Sequence, residues 1–378
     1  MRRVLILGGG FGGIAAAIRL RQRLSPEDEI LLVDRRPYFM VGFRKTWALI
    51  GASPMEAGQR PLAALERKGI RVIQGAITAI DPQARAAEVE GRRLEADALI
   101  VALGADLAPE RVPGFQAHAH NLYEAQAIPP AAEALRAFRG GQVMIGVFGV
   151  PYKCPPAPYE AALLLRGFFS ERRVQADIEV FTPQPMSLPV LGQAGCDVVE
   201  GRLADYGITF LSNHQAVAVE AGEVVFTAGR RPYDLLLGVP PHRCPQVVAQ
   251  SGLTDGGEWV PVNPRTLETK FPGVYAIGDV VAIPMADGKP LPKAGVFAEA
   301  EGEVVAERIA AAFAGGESQA AFAGEGSCYL EVGNGEAMLV QGRFLDTPAP
   351  QVTLLGPSRA YLEEKRAFET ERLQKWFG

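Results

Sequence analysis

The sequence predicts an α/β protein with two Rossmann-like dinucleotide-binding domains and a small C-terminal module. Three observations lead to this prediction. Residues 3–34 have the pattern of a strand, a glycine loop, a helix and a second strand, and a similar strand, loop and helix pattern begins at Gln142. The chain has 378 residues, which is too long for one ordinary core because domains usually hold about 100–200 residues.

The first unit begins with an apolar strand, Arg3–Leu7. A helix rich in Ala, Ile and Leu is predicted over residues 12–23, and a second strand over 29–33. These three elements form one βαβ unit. A later apolar strand, 97–104, ends at a glycine where the chain is expected to leave this unit.

The remaining elements follow the same alternation of apolar runs and turn residues. The predicted elements are a crossover over 105–130, a strand over 142–148, a helix over 159–169, a strand over 178–181, a strand over 271–279, a helix from Gly295, strands over 328–332 and 337–341, and a helix after Ser358. The predicted domains are 1–106 (first part of the first dinucleotide domain), 107–240 (second Rossmann-like domain), 241–320 (return to the first domain) and 321–378 (C-terminal module).

Composition excludes several classes of function. Hydrophobic residues make up 48% and charged residues 21% of the chain, as in a globular protein. The net charge of −5 gives no basic patch for nucleic acid. The four cysteines lie far apart without a C-x-x-C, so neither a metal site nor a structural disulfide framework is predicted.

The N-terminal segment predicts a cytoplasmic location. Met1, Arg2 and Arg3 lead directly into the first strand, so the chain shows no signal peptide. The uncharged stretch 4–18 contains five glycines and is shorter than the roughly 20 apolar residues of a transmembrane helix. No membrane-spanning segment is therefore expected.

The glycine loop after the first strand predicts a dinucleotide site. Gly8, Gly10 and Gly13 have the G-x-G-x-x-G spacing that lets a backbone turn tightly and approach a pyrophosphate. The helix N-terminus then faces the phosphates. Asp34 follows the last glycine by 21 residues at a strand end, where it can bind a ribose hydroxyl.

Two later segments favour FAD over NAD as the dinucleotide. Asp279 follows a strand and can accept hydrogen bonds from ribityl hydroxyls, which NAD lacks. The helix that begins at Gly295 would direct its positive end toward the flavin pyrimidine, and Lys293 would add a charge. The candidate cofactor-binding residues are Gly8, Gly10, Phe11, Gly12, Gly13, Asp34, Arg35, Ala76, Ala102, Gly104, Gly278, Asp279, Lys293, Ala294 and Gly295.

The second loop differs from the first and argues against nicotinamide binding. The segment 149–160 contains four prolines, which remove N–H donors and stiffen the loop. The strand that follows ends in Thr182 without a ribose-binding acid. The loop presents Cys154 instead, and a neighbouring Lys153 would favour its thiolate. The alternative is that Cys154 is a small buried hydrophobic residue.

Several motifs together resemble the sulfide:quinone oxidoreductases and the flavoproteins of flavocytochrome c sulfide dehydrogenase. They are the segment 8–34, the strand to Gly104, and the short segments 153–160, 239–242, 276–279, 292–295 and 328–329. The resemblance spans nearly the whole chain. It implies a glutathione-reductase-like flavoprotein fold with FAD.

The resemblance also implies a reaction. Cys154 and Cys328 would form a redox disulfide that sulfide attacks, with two electrons passing through FAD to a quinone or, alternatively, to a cytochrome c. Lys293 would act beside the flavin. Glu160 would move protons, although a plain role as a carboxylate at a helix N-terminus stays open.

The chain departs from the resembled family at two places. No cysteine occurs in residues 1–153, so FAD is expected to bind noncovalently. The third cysteine of many sulfide:quinone oxidoreductases is also missing, which leaves a two-cysteine mechanism. A type II NADH:quinone dehydrogenase and a redox-sensing flavoprotein without turnover remain the alternatives.

The terminal segment 359–377 is the candidate for peripheral membrane contact. It carries Tyr361, Phe368, Leu373, Trp376 and Phe377 on about half of a helical wheel, interrupted by Lys365, Arg366 and Glu369. The alternative is that these aromatic residues pack on the protein. Surface or structural roles are expected for His118, His120, His214, Cys196 and Cys244, while His242 and Arg243 are candidates to line a substrate path.

Overall fold

A computed structural model describes all residues from 1 to 378. Its N-terminal part, residues 1–107, supplies most of the first Rossmann-like sheet. The elements are β1 (Arg3–Leu7), α1 (Phe11–Arg23), β2 (Glu29–Asp34), β3 (Tyr38–Phe39), α2 (Arg44–Leu49), β4 (Arg60–Pro61), β5 (Arg71–Gln74), β6 (Ile77–Asp81), β7 (Ala86–Val89), β8 (Arg92–Glu95), β9 (Ala98–Val101) and β10 (Asp106–Leu107).

The second Rossmann-like sheet is formed by the next part of the chain. Its elements are α3 (Phe115–His118), β11 (His120–Asn121), α4 (Ile128–Ala137), β12 (Gly141–Val147), α5 (Ala157–Glu171), β13 (Ala176–Phe181), α6 (Gly192–Asp205), β14 (Ile208–Leu211), β15 (Ala216–Glu220), β16 (Glu223–Phe226), β17 (Gly229–Pro232) and β18 (Leu235–Val239). The predicted strand and helix of this unit therefore occur, with bounds that differ by one to two residues from those expected.

The chain then returns to the first sheet and ends in the C-terminal module. The elements are β19 (His242–Arg243), α7 (Gln246–Ala249), β20 (Val260–Pro261), β21 (Val274–Ala276), β22 (Val281–Ala282), α8 (Gly295–Phe313), β23 (Glu325–Glu331), β24 (Ala337–Arg343), β25 (Gln351–Ser358) and α9 (Arg359–Phe377). Strand β25 was not predicted, because its alternation of half-buried and exposed residues carries several polar and small side chains.

Both large sheets are parallel and five-stranded. Their strand orders are β21-β9-β1-β2-β5 and β11-β18-β12-β13-β14. In each sheet the first strand of the unit lies next to strands that arrive from later in the chain, as in a doubly wound dinucleotide fold. This confirms the predicted α/β class with two Rossmann-like sheets.

Two short strands lie where the chain passes between the sheets. Strand β10 pairs with β19 in antiparallel fashion, with Leu107 opposite His242. The outgoing and returning connections are therefore hydrogen-bonded to each other. The predicted domain boundaries at 106–107 and 240–241 fall at these connections.

The C-terminal module joins both units. Its three-stranded antiparallel sheet has the order β23-β24-β25. Leu330 and Met338 of this sheet belong to the core of the second unit, whereas Leu373 and Trp376 of α9 belong to the core of the first. The module thereby fixes the two units relative to each other. No helix of the protein combines the length and apolar composition needed to cross a bilayer.

Candidate functional site

The glycine loop between β1 and α1 has two kinds of glycine. Gly8 has a φ of +114°, and a Cβ there would lie 2.2 Å from the Ala102 carbonyl oxygen. A Cβ on Gly13 would lie 1.9 Å from the Gly8 carbonyl oxygen. At Gly10, in contrast, a Cβ would meet nothing within 4 Å. Gly8 and Gly13 are thus required by packing, whereas Gly10 borders open space in front of the helix N-terminus.

Asp34 lies at the end of β2 and turns back toward this loop. Its Oδ2 accepts a hydrogen bond from the Gly9 N–H at 2.7 Å. Burial opposes its ionisation, but the Arg36 guanidinium, 3.0 Å from Oδ2, outweighs burial and holds the pKa of Asp34 below its usual value. Arg36 therefore forms the ion pair of Asp34. Arg35, the residue selected from the sequence, has a largely exposed side chain directed at Asp106.

Three further candidates lie around the same loop. Ala102 and Gly104 follow β9, beside Gly8. Ala76 follows β5, and its N–H donates to Glu90 Oε1 at 2.7 Å. These backbone positions surround the carboxyl ends of β1, β2 and β9, which is where parallel sheets bind ligands.

The turn after β21 brings a second acid, Asp279, to the same edge of the first sheet. Gly278 has a φ of +76°, in the left-handed region that favours glycine. Burial raises the pKa of Asp279, and the ammonium groups of Lys153 and Lys293 oppose that rise. Beneath the turn, Glu301 accepts a hydrogen bond from the Gly278 N–H at 2.5 Å, and burial raises its pKa to about 7. Glu301 was missed because a carboxylate in the middle of a long helix usually faces solvent.

Helix α8 begins beside the glycine loop. A Cβ on Gly295 would lie 2.7 Å from the Phe11 ring, so the N-termini of α8 and α1 come close together. Ala294 is the N-cap residue, and its side chain cannot cap the free N–H groups of the first turn. These donors and the positive end of the helix are therefore free to meet a negatively charged group.

Lys293 is directed at main-chain oxygens. Its Nζ donates to the Asp279 carbonyl at 2.5 Å and to the Val281 carbonyl at 3.3 Å. It also lies 3.6 Å from the centroid of the Trp259 ring. Burial lowers the pKa of Lys293 to about 8, so the side chain still carries a positive charge at neutral pH.

These residues fit a flavin dinucleotide. The uncapped N-terminus of α1 and the open space at Gly10 suit a pyrophosphate, and Asp34 suits a ribose. Asp279 and the N-terminus of α8 suit the ribityl chain and the flavin ring. The roles of the individual residues are proposals that follow from this arrangement.

The second loop places Cys154 in a constrained backbone conformation. Cys154 has a φ of +53°, which is uncommon for a residue with a side chain. Its N–H donates to the Lys293 carbonyl at 2.8 Å, and its own carbonyl accepts from the Ala157 N–H at 3.0 Å. The Tyr123 hydroxyl donates to the same carbonyl at 3.1 Å. The loop is thus attached to the segment that precedes α8.

Replacing Tyr123 with phenylalanine tests this attachment. Loss of the hydroxyl removes one of the bonds that hold the left-handed Cys154, and we expect the free energy of unfolding to fall by about 1 kcal/mol. Chemical denaturation measures the change. Tyr361→Phe is the control, because Tyr361 is a half-buried tyrosine in the first turn of α9, away from the Cys154 loop in the chain. Equal stability of the two variants would contradict the interpretation.

Cys154 and Cys328 meet although they come from different parts of the chain. Both are free thiols and half-buried, and they lie close enough for each to shift the pKa of the other. Interaction with the Cys328 thiol holds the pKa of Cys154 below its ordinary value, whereas the same interaction and burial raise the pKa of Cys328 well above its own. Cys154 is therefore the more acidic thiol of the reduced pair.

The charges that act on Cys154 are not the ones expected from the sequence. Lys153, its neighbour in the chain, directs its Nζ to the Ala105 carbonyl at 3.4 Å. After Cys328 and burial, the groups that most affect the pKa of Cys154 are Glu160, which raises it, and Lys365 and Lys45, which lower it. The expectation that Lys153 activates Cys154 did not take account of these more distant parts of the chain.

Glu160 belongs to a buried cluster of charges. Only 3% of the residue is exposed, although it lies in the first turn of α5. Its Oε2 lies 2.7 Å from Lys365 Nζ and accepts from the Glu331 N–H at 2.9 Å. Lys365 Nζ is also 3.2 Å from Glu331 Oε2. Glu160 is thus a carboxylate at a helix N-terminus, as the alternative has it, but partners from β23 and α9 cover it.

The buried face of α9 includes two of the three residues expected to interrupt it, whereas the third, Arg366, is exposed. Leu362, Lys365, Glu369, Leu373 and Trp376 are all buried. Lys365 pairs with Glu160 and Glu331, and Glu369 pairs with Arg44. The aromatic residues Trp376 and Phe377 contact Phe39 in the core of the first unit. Of the two interpretations of this segment, the structure favours packing on the protein.

The remaining histidines and cysteines, and Arg243, are not part of the Cys154–Cys328 pair. Burial lowers the pKa of His242 to about 3, so it is neutral, and Arg243 pairs with Glu110. Burial raises the pKa of Cys196, and raises that of Cys244 to about 11, so both stay thiols at neutral pH. His118 is exposed, while His120 and His214 are half-buried.

Comparison with known proteins finds a family, two relatives and a solved structure. The family model of the pyridine nucleotide-disulphide oxidoreductases matches residues 2–302. The mouse mitochondrial sulfide:quinone oxidoreductase is 27% identical over 299 residues, which cover 74% of this chain and 66% of that protein. The sulfide-quinone reductase of Aquifex aeolicus is 28% identical over 82% of this chain and 76% of its own length.

A solved structure is similar over the whole chain. The sulfide:quinone oxidoreductase from Aquifex aeolicus superposes with a TM-score of 0.90 and 25% identity, covering 100% of this chain and 92% of that one. The chain spans about two thirds of the length of the mouse relative. Because the superposition covers the whole chain, the similarity includes the C-terminal module that carries Cys328, beyond the residues matched by the family model.

Proposed function

This chain belongs to the pyridine nucleotide-disulphide oxidoreductases and, within them, to the sulfide:quinone oxidoreductase flavoproteins, and we propose on that basis that it oxidises sulfide and passes the electrons through FAD to a quinone. The contact between Cys154 and Cys328 is the observation that carries this proposal. Two thiols from different parts of the chain lie close enough to shift each other's pKa, and the Cys154 N–H donates to the carbonyl of Lys293, two residues before α8. Such a pair can alternate between a disulfide and two thiols.

The reaction begins at sulfur. A hydrosulfide ion attacks one sulfur of the Cys154–Cys328 disulfide, its S–S bond breaks, and the bonding pair leaves on the other sulfur as a thiolate. The attacked cysteine becomes a persulfide. Glu160 lies close enough to raise the pKa of Cys154. We propose that its carboxylate takes up the proton of the persulfide.

The cofactor is proposed to bind noncovalently. FAD supplies the two-electron acceptor between the cysteine pair and the quinone. Gly10 and the N-terminus of α1 would hold its pyrophosphate, Asp34 its ribose, and Asp279 with Lys293 the region of the flavin. No cysteine occurs among residues 1–153, which supports a noncovalent complex.

Quinone is the proposed acceptor, and a cytochrome c is the alternative. Peripheral contact with a membrane is proposed for the C-terminal module. Such a contact cannot use Leu373, Trp376 or Phe377, because these residues are buried in the body of the protein. It would have to use other parts of the module, such as β25, whose Leu355 is 37% exposed.

Anaerobic reduction of the flavin by sulfide and by NADH distinguishes the proposal from the NADH dehydrogenase alternative. We expect sulfide to bleach the flavin absorbance and NADH to do so at least about 100 times more slowly at equal concentration. The reason is that the second loop lacks the glycines of a pyrophosphate site and uses the Cys154 N–H within the protein. Stopped-flow absorbance measures both rates.

Two outcomes would contradict the proposal. Bleaching by NADH that is as fast as by sulfide would favour a type II NADH:quinone dehydrogenase. Reduction by sulfide without turnover in the presence of a soluble quinone would favour a redox-sensing flavoprotein.

A further inference from the structure

One lysine on the C-terminal helix joins the two elements that carry the cysteines. Cys154 is followed by Glu160 on α5, and Cys328 is followed by Glu331 on β23. Lys365 of α9 lies 2.7 Å from the first carboxylate and 3.2 Å from the second. We refer to Glu160, Glu331 and Lys365 as the carboxylate–lysine triad.

The triad is closed to solvent. Its residues are 3%, 8% and 1% exposed, in the order Glu160, Glu331 and Lys365. The Trp47 N–H donates to Glu331 Oε2 at 2.9 Å, and Lys365 Nζ lies 5.1 Å from the centroid of the Phe43 ring. Aromatic rings and one indole donor thus form the remaining wall, so the charges interact strongly with one another.

The charge balance of the triad is incomplete. Two ionised carboxylates around one ammonium leave a net charge of −1 in a buried place, which is costly. One added proton would remove this charge. Burial raises the pKa of Glu160, Lys365 opposes that rise, and Glu331 adds to it. The two carboxylates raise the pKa of Lys365 against the effect of burial, so the added proton belongs to a carboxylate.

We propose that the carboxylate–lysine triad binds a single proton as one unit, and that Lys365 is the positioning residue that keeps the triad able to accept it. The proposal rests on the proposed function and deepens it. When a hydrosulfide opens the disulfide, one cysteine leaves as a thiolate and the other carries an S–SH group. The S–H proton passes to the triad, whose charge changes from −1 to 0 while the persulfide becomes an anion.

Other titratable groups face the triad from the elements packed against it. They are Cys154 and Tyr123 near α5, Cys328 on β23, Lys45 and Arg44 on α2, and Glu369 on α9. Arg44 and Glu369 form their own buried pair. The two substitutions described below leave all of these groups in place.

The two partners of Glu160 have opposite effects, and this gives a test by infrared spectroscopy. The C=O band of the protonated carboxyl is titrated against pH in the oxidised holoenzyme without sulfide, and Glu160→Gln identifies the band. Lys365→Met removes the opposing cation, so we expect the midpoint to move to higher pH. Glu331→Gln removes a like charge, so the midpoint should move to lower pH, each by about one pH unit or more.

The rate of flavin reduction by sulfide gives the second measurement. A protonated triad cannot accept a further proton, so the rate of the wild type should fall as the pH drops through the midpoint. The acid limb of this profile should move in the same opposite directions in the two variants. Lys375→Met, an exposed position on the same helix, is the control and should leave both profiles unchanged.

Shifts in the same direction, or no shift in either variant, would overturn the proposal. Because Glu331→Gln keeps an oxygen for the Trp47 donor and for Lys365, it should fold even if Lys365→Met does not, and an unmoved midpoint in that variant alone is sufficient to reject the triad. The infrared titration needs neither sulfide nor quinone. A failure of the triad is therefore distinguishable from a failure of the proposed function, which would appear as a wild type that sulfide does not bleach.

Discussion

Substitution of Cys154 by serine is expected to lower the rate of flavin reduction by sulfide by about 10³-fold or more, as removal of a reacting nucleophile does in other enzymes. Cys154 is the member of the pair with the lower pKa, because interaction with Cys328 lowers the pKa of its thiol. Without it no disulfide can form, and sulfide has no S–S bond to attack. Stopped-flow absorbance under anaerobic conditions measures the rate.

The control for this substitution is Cys196→Ser. Cys196 is fully buried on α6, and its Sγ donates to the Leu188 carbonyl at 3.1 Å. A serine hydroxyl can make the same hydrogen bond, so the rate of flavin reduction should stay near that of the wild type. A Cys154→Ser protein that contains FAD and is reduced as fast as the control would show that the electrons enter elsewhere.

Two glycine substitutions in the first loop are expected to have very different effects. In Gly13→Ala the new Cβ would lie 1.9 Å from the Gly8 carbonyl oxygen, so the loop or the helix must move. We expect the free energy of unfolding to fall by about 3 kcal/mol or more. Urea denaturation of the apoprotein, followed by circular dichroism, measures this change.

Gly10→Ala is the matched comparison. Its Cβ would meet nothing within 4 Å, and its φ of −89° suits alanine. The apoprotein should therefore stay within about 1 kcal/mol of wild-type stability. The methyl group would project where a pyrophosphate approaches, so the purified protein should contain less FAD, as measured by flavin absorbance per chain. A fully loaded Gly10→Ala protein would contradict the proposed position of the cofactor.

Local patterns predicted the parts of the fold that depend on neighbouring residues. The strand β1, the glycine loop and α1 follow one another within 23 residues, and each has a periodicity or a turn residue that identifies it. The contrast between Gly10 and the proline-rich loop at Cys154 was also visible in the sequence, since it depends only on which residues follow a strand. Strand β25 was missed because its pattern is weak.

Errors arose where a residue has partners that are distant along the chain. Lys365 and Glu369 were expected to interrupt an apolar face, because a helical wheel contains no information about other elements. Both are buried, since Glu160, Glu331 and Arg44 compensate their charges. Lys153 was expected to act on Cys154 because it is adjacent in sequence, but its side chain points to the Ala105 carbonyl.

The sequence by itself determined that the chain has two dinucleotide-type units, of which the first kept its glycine loop and the second presents a cysteine. These features are local, because turns, caps and apolar periodicity act over a few residues. Only the tertiary structure decided which charges surround that cysteine. Electrostatic interactions in a buried site depend on distances in space, and α9, the last helix of the chain, supplies the lysine that lies between the carboxylates of α5 and β23.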